Sequence, residues 1–135
     1  VLENDLLEAI TGLPTDMFYN TGISTYVWIV TNRKPKSRKG KVQLIDASAM
    51  WQKMRKSLGS KRKELSDEHI EKITKLFGQA KNVSIDPETG KPVSGKALAA
   101  GSSAVPMSRI FKNADFGYQT ITVERPVRDE NGEIV

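Results

Sequence analysis

The chain has 135 residues, 38% of them hydrophobic and 7% aromatic, which suits one domain with its own core. It has no cysteine and a single histidine, His69, so a disulfide framework and a thiolate metal site are excluded and we predict no metal centre. The net charge of +5 favours polyanionic partners, and no apolar run approaches the roughly 20 residues of a membrane-spanning helix.

The first 34 residues predict two strands joined by an aromatic turn. A strand is expected from about Leu7 to Leu13, where Gly12 and Pro14 end it, and a second over 24–32, which is rich in β-branched and aromatic residues. The chain opens with acidic residues and lacks an initiator Met. We therefore expect no signal peptide, and we expect Val1 to be a cut point inside a longer protein in a reducing cytoplasm.

The middle of the chain predicts a strand and two helices. The strand covers 42–46, and Asp46 or Ser48 then caps a helix that Gly59 closes. That helix would bury an apolar stripe of Met50, Trp51, Met54 and Leu58. Ser66 caps the second helix, which ends at Gly78 and would bury Ile70, Ile73, Leu76 and Phe77.

The remainder is less regular. Residues 81–107 predict a loop that contains the turn "DPETG" and one short hairpin. A strand is expected over 120–124, and Asn131-Gly132 predicts a hairpin between Val127 and Ile134.

Two groups of residues are candidates for function. Phe18 and Tyr19 share a turn with Asn20, where one ring could stack on a planar ligand such as a nucleobase, or Phe18 could simply anchor the loop. Basic residues crowd 33–63, as a solvated face or as a contact for a polyanion; those of the first loop are Arg33, Lys34, Lys36, Arg38 and Lys39. Trp28 and Trp51 are predicted to be core residues, and His69 is predicted to face solvent.

Long stretches of the sequence resemble one family. "LLEAITGLPTDMFYNTGISTYVWIVTNRK", "GKVQLIDASAMWQKMRKSLGSKRKELSDEHIEKITKLFG" and "RIFKNADFGYQTITVERPVR" are similar to the C-terminal part of the DNA-methyltransferase subunit of type I restriction-modification systems. Residues 79–107 look like a variable insertion within that match.

The resemblance implies a fold and a site. It implies an α/β fragment in which the strands on either side of the turn are the last two of a Rossmann-like sheet, the second of them antiparallel. Four segments are expected: the terminal strands of the catalytic domain in 1–47, a helical segment in 48–78, the variable loop in 79–107 and a strand or hairpin segment in 108–135. "FYNTGI" matches the segment that holds a flipped adenine, so Phe18, Tyr19 and Asn20 would contact the base, and Arg33, Lys34, Lys36, Arg38 and Lys39 would contact the DNA backbone or a partner.

The departures from the family limit what this segment can do. The family binds S-adenosylmethionine with a glycine-rich loop and aligns the target with an Asn-Pro-Pro-aromatic segment, and neither occurs in the 135 residues. We therefore expect no catalytic residue here and no activity from this chain alone. The parent protein would work with a specificity subunit and a restriction subunit. The isolated fragment is expected to self-associate through an exposed sheet edge.

A different class of function is the alternative. A basic adaptor that binds nucleic acid or protein without catalysis would use the same lysines and arginines, and its DNA binding would depend steeply on salt. Substitution of Tyr19 separates the two hypotheses, because only the methyltransferase needs that ring.

Overall fold

The computed structural model describes residues 1–93, 103–117 and 122. Within them the strands are β1 (Leu7–Gly12), β2 (Tyr26–Val30), β3 (Lys41–Asp46), β4 (Gln52–Leu58), β5 (Lys61–Glu64), β6 (Val83–Ile85), β7 (Pro92–Val93) and β8 (Val105–Lys112). A helix, α1 (Asp67–Gln79), lies between β5 and β6 in the sequence, and short 3-10 turns cover Lys36–Arg38 and Asn113–Phe116.

A mixed sheet forms the body of the described chain. Its strand order is β2-β1-β3-β8-β6-β7, with β1 and β3 parallel and every other neighbouring pair antiparallel. The residues buried in β3, Val42, Gln43 and Ile45, lie on both faces of the strand, as expected for a central strand that is covered on both sides. The predicted α/β class is confirmed, and so are the first three predicted strands and the antiparallel direction of the second.

The first of the two predicted helices is wrong. In place of a helix over residues 48–58, the chain forms β4, which pairs with β5 in a separate two-stranded sheet. Gly59 does not cap a helix but makes the hairpin turn with φ +61°, at the first central position where a type II′ turn favours glycine. The helical spacing of Met50, Trp51, Met54 and Leu58 misled the prediction. Among these four residues only Met50 enters the core, where it packs with Ala47 and Met107.

The second predicted helix is confirmed as α1, with the predicted cap. The Ser66 hydroxyl accepts a hydrogen bond from the His69 amide at 3.3 Å, and His69 Nδ1 accepts one from the Ser66 amide at 3.2 Å. His69 is therefore a half-buried part of the helix cap rather than a solvent-facing side chain. Ile73 and Leu76 pack against the core, whereas Ile70, predicted to be buried, is exposed.

A buried polar network fastens the end of α1 to the sheet. Gln43 on β3 is only 2% exposed, and its Nε2 donates to the Leu76 carbonyl at 2.7 Å and to the Ser108 hydroxyl at 2.8 Å. Its Oε1 accepts from Arg38 at 3.1 Å. Every polar atom of this buried amide has a partner, so the helix, β3 and β8 are tied together at one point.

Both tryptophans predicted to lie in the core are at the surface. Trp28 is 59% exposed on β2 and Trp51 is also exposed. β2 has the apolar composition of a strand that is buried on both faces, but it lies at one edge of the described sheet. Its apolar residues are therefore left without the cover that their composition predicts.

The later part of the chain agrees with prediction in one place and extends it in another. The predicted short hairpin is β6–β7, whose turn is held by the Asp86 carboxylate, which accepts from the Glu88 amide at 2.9 Å. β8, which sequence patterning missed because Pro106 lies in it, pairs with β3 and β6. The strand predicted over 120–124 and the hairpin over 127–134 lie outside the described residues.

Candidate functional site

The aromatic turn follows β1 and presents both of its rings. A bridge between Phe18 and Thr21 closes the turn, and Asp16 before it adopts a positive φ of 59°. Phe18 is 46% and Tyr19 65% exposed, and Asn20 is exposed as well. Large aromatic side chains on a turn are usually tucked against the protein, so these two rings are placed where a ligand can reach them.

The backbone of this turn is fixed by the β4–β5 hairpin. The Ser60 amide donates to the Tyr19 carbonyl at 2.9 Å, and the Arg62 and Lys63 amides donate to the Asp16 carbonyl at 2.9 and 3.1 Å. The Tyr19 ring lies so close to Gly59 that a Cβ on this glycine would be 2.7 Å from two ring carbons. The turn and the hairpin are therefore joined through their backbones, and the Tyr19 ring packs against Gly59.

Lys63 strengthens this junction from the side. Its Nζ donates to the Thr15 hydroxyl at 3.1 Å, lies 4.0 Å from the Asp16 carboxylate and stands 4.4 Å from the centroid of the Trp51 ring. A cation over the face of an indole is attracted by the ring quadrupole. Trp51 is thus held beside the aromatic turn although it is not part of the core.

Two of the five basic residues predicted to contact the DNA backbone or a partner are structural. Lys34 is buried, and its Nζ donates to the Asp5 carboxylate at 2.6 Å and to the Lys41 carbonyl at 2.8 Å. The Lys34 ammonium, followed by the Gly40 amide and the Asn113 amide, lowers the pKa of Asp5 to about 2. Lys34 is therefore committed to a clamp between the N-terminal segment and the loop before β3.

Arg38 is the second structural cation. Its guanidinium donates to Gln43 and to the Phe77 carbonyl, lies 3.4 Å from the Glu8 carboxylate and stands 4.3 Å from the Phe77 ring centroid. A cation at the end of α1 also matches the negative pole of the helix dipole. Of the predicted set, Arg33, Lys36 and Lys39 remain exposed.

Sequence reasoning recognised the basic stretch 33–63 but not that its second half lies beside the aromatic turn. The hairpin that holds the turn has no acidic residue from Trp51 to Lys63, and its exposed cations are Lys53, Arg55, Lys56 and Arg62. The density of charge in 53–63 was visible in the sequence. Its proximity to Tyr19 was not, because the sequence predicts a helix up to Gly59 followed by a connector instead of a hairpin.

Comparison with known proteins assigns the chain to a family. The sequence profile described as "N-6 DNA Methylase" matches residues 1–122. The chain belongs to the N-6 DNA methylase family.

Relatives and a solved structure agree with this assignment. The chain is 39% identical over 82 residues to the type I restriction enzyme MjaVIII methylase subunit of Methanocaldococcus jannaschii, a match that covers 61% of this chain and 14% of that protein. It is 34% identical over 77 residues to the MjaIX methylase subunit of the same organism, covering 57% and 13%. The crystal structure of a type I restriction-modification methyltransferase subunit from Streptococcus thermophilus shares the fold with a TM-score of 0.58 at 23% identity, covering 85% of this chain and 18% of the other. The chain thus spans about one-seventh of the curated methylase subunits that it matches.

The described residues do not fit the cofactor that a methylase of this family uses. Gly12 at the end of β1 is covered by the Tyr26 ring, which a Cβ on this glycine would meet at 3.3 Å, and Gly59 is pressed against Tyr19. Gly40, Gly78 and Gly90 have no side chain or backbone around them that would form a cradle. In the same described ranges, no cluster of acids and histidine is placed to hold a metal ion, and no helix has the length and apolar character that crossing a membrane takes. What the described part of this methylase segment offers is an aromatic surface bordered by positive charge.

Proposed function

We propose that this chain is the segment of a type I restriction-modification methyltransferase subunit that receives the target base. The reaction would transfer a methyl group from S-adenosylmethionine to the exocyclic amino group of adenine in duplex DNA. The observation that supports this role is the exposure of Phe18 and Tyr19 on a turn held by the hydrogen bonds to the β4–β5 hairpin.

The physical role of the aromatic turn is to stabilise an unstacked base. A base that leaves the duplex loses a few kcal/mol of stacking and pairing, and one aromatic ring restores about 1–3 kcal/mol per stacked base. Either Phe18 or Tyr19 can supply that ring, and Asn20 beside them can hydrogen-bond an edge of the base. Because the hairpin already holds the turn, little conformational entropy is lost when the base arrives.

The cofactor and the residues that align the target amino group would lie elsewhere in the parent polypeptide. The chain covers 13–14% of the methylase subunits that it matches, and it has neither the glycine-rich loop nor the Asn-Pro-Pro-aromatic segment. We expect the isolated chain to transfer no methyl group. Measurable methylation of adenine by the purified chain would contradict this expectation.

The proposed partners follow from the type I systems to which the relatives belong. They are duplex DNA, a specificity subunit that selects the sequence and a restriction subunit, in the cytoplasm where the DNA of a prokaryotic cell lies. The exposed cations Arg33, Lys36 and Lys39 would face either the DNA backbone or an acidic surface of a partner subunit.

The decisive experiment replaces Tyr19 and Phe18 in the polypeptide that carries this segment. Tyr19→Ala and Phe18→Ala are compared with Tyr19→Phe, which keeps a stacking ring. The alanine variant of the stacking residue should lose about 5- to 150-fold in methylation, the equivalent of 1–3 kcal/mol, with a much smaller change in DNA affinity. If neither alanine variant affects methylation, and charge reversal at Lys36 and Lys39 abolishes DNA binding, the chain is a basic adaptor instead.

We also propose that the isolated chain self-associates through β2. One edge of β2 has no neighbouring strand in the described sheet, and apolar grooves of about 840 and 290 Å³ lie beside it, the first lined by Ile10 and Trp28 and the second by Val27 and Ile29. Such an edge pairs readily with another copy. Sedimentation equilibrium should detect a dimer that Val27→Lys dissociates, and a monomeric unaltered chain would rule the proposal out.

A further inference from the structure

The β4–β5 hairpin has features that support of the aromatic turn does not explain. It pairs with none of the strands of the six-stranded sheet. The pairing of its two strands is irregular: Lys53 pairs with Lys63 and Leu58 pairs with Lys61, so β4 has more residues between these two pairs than β5 has. The extra residues of β4 form a bulge that carries Arg55 and Lys56 into solvent.

An apolar residue stands at the end of this basic hairpin. Leu58 is 58% exposed and immediately precedes the Gly59-Ser60 turn. The residues next to Leu58 at the tip, Ser57, Gly59 and Ser60, and its cross-strand partner Lys61 offer it no apolar side chain. Its position suits a residue that becomes buried only when a ligand is bound.

The tip and the aromatic turn are direct neighbours. Gly59, next to Leu58, touches the Tyr19 ring, and Ser60 donates to the Tyr19 carbonyl at 2.9 Å. A duplex that delivers a base to Tyr19 must therefore pass within reach of Leu58. The exposed cations Arg55, Lys56 and Arg62 lie within four residues of Leu58 on the same hairpin, and positive charge at this density attracts phosphates.

We propose that the hairpin tip is a wedge that opens the DNA stack: Leu58 occupies the gap left by the base that the aromatic turn receives, and Arg55, Lys56 and Arg62 hold the neighbouring phosphates. This inference rests on the proposed function, which it deepens. Inserted leucines partly unstack neighbouring base pairs in other DNA-bending proteins, and a filled gap slows the return of the extruded base.

An acidic protein surface would also match the charges of the hairpin. It would give Leu58 no reason to prefer a duplex that contains a gap, whereas a wedge must distinguish a gapped from an intact stack. The test therefore uses two otherwise identical duplexes, one fully paired and one with a central abasic site, so that the gap exists before the protein binds.

The experiment measures fluorescence anisotropy of the labelled duplexes with the 135-residue chain across a salt series. The unaltered chain should prefer the abasic duplex by about fivefold or more, because no base has to be displaced. Leu58→Ser should reduce this preference to roughly none. Arg55→Gln and Lys56→Gln should weaken binding to both duplexes by the same factor, and each should lower the slope of log affinity against log salt by about one.

The controls lie away from the hairpin. Lys72→Gln and Lys75→Gln remove exposed cations from α1, and Val105→Ser removes an exposed apolar residue from β8. These variants should bind both duplexes like the unaltered chain, and circular dichroism checks that every variant is folded.

Four results would overturn the inference: no preference for the abasic duplex, an unchanged preference in Leu58→Ser, no binding of the unaltered chain to either duplex at low salt, or displacement of the abasic duplex by polyglutamate as effective as by unlabelled duplex. The last would make the hairpin a protein-docking arm. All of them are separable from the proposed function, which the Tyr19 and Phe18 methylation measurements test independently.

Discussion

The amide of Gln43 offers the sharpest test of how this fold is held together. Replacing Gln43 by Ala removes the donor to the Ser108 hydroxyl, and Ser108 is only 1% exposed. The Leu76 carbonyl also loses a donor, but it still accepts from the Ala80 amide at 3.3 Å. The Ser108 hydroxyl is the atom without a substitute. Leaving a buried polar group unsatisfied costs about 1–3 kcal/mol, and losing a buried methylene costs about 0.8 kcal/mol more. The expected loss of stability is about 2–4 kcal/mol.

Urea unfolding followed by far-ultraviolet circular dichroism measures this loss. Gln52→Ala is the matched control, because its amide makes a single exposed hydrogen bond to Glu64 at 2.9 Å, and it should cost less than about 0.5 kcal/mol. The double variant Gln43→Leu with Ser108→Ala removes the amide and the hydroxyl together, while Arg38 keeps the Phe77 carbonyl and Glu8 as partners. It should recover to within about 1 kcal/mol of the unaltered chain. If Gln43→Ala is no less stable than Gln52→Ala, the network does not fasten α1 to the sheet.

Further predictions concern the clamp, the helix cap and the aromatic turn. The pKa of Asp5 is lowered from 3.8 to about 2, so its ionised form stabilises the fold above pH 4, and that contribution is lost as the pH falls through about 2. Asp5→Asn should therefore be less stable at pH 7 and lose less stability between pH 5 and pH 2, and equal acid sensitivity in circular dichroism would contradict the clamp. Ser66→Ala should cost about 0.5–2 kcal/mol in urea unfolding through loss of the N-cap, whereas the exposed Ser57→Ala should cost almost nothing, and equal effects would deny the cap its role. Gly59→Ala should lower the free energy of unfolding more than Gly40→Ala does, since both glycines have a positive φ but only Gly59 lies against a ring. Gly59→Ala should also shift the Tyr19 resonances in NMR spectra. Unchanged resonances would show that Gly59 does not position the ring.

Local patterns in the sequence were sufficient for several elements and for one half of the candidate site. β2 followed from a run of β-branched and aromatic residues, and the start of α1 from Ser66 with acids behind it. The aromatic turn was recognisable because Phe18 and Tyr19 stand between a Pro and a Gly, where the backbone must reverse. These features depend on the conformational preferences of a few adjacent residues, so a short window of sequence contains their cause.

The other half of the site depends on contacts between distant residues, and only the tertiary structure decided it. Met50, Trp51, Met54 and Leu58 have helical spacing, yet β4 finds its hydrogen-bond partners in β5 and its turn docks on Tyr19, so the helix loses to the hairpin. Lys34 and Arg38 look like free cations in a basic loop, but acids far away in the sequence, Asp5 and Glu8, draw them inward. Composition by itself determined that the chain is basic and has no cysteine. Long-range pairing of strands decided which charged side chains lie in solvent beside the aromatic turn. A charged side chain is exposed or ion-paired according to the residues that the fold places next to it.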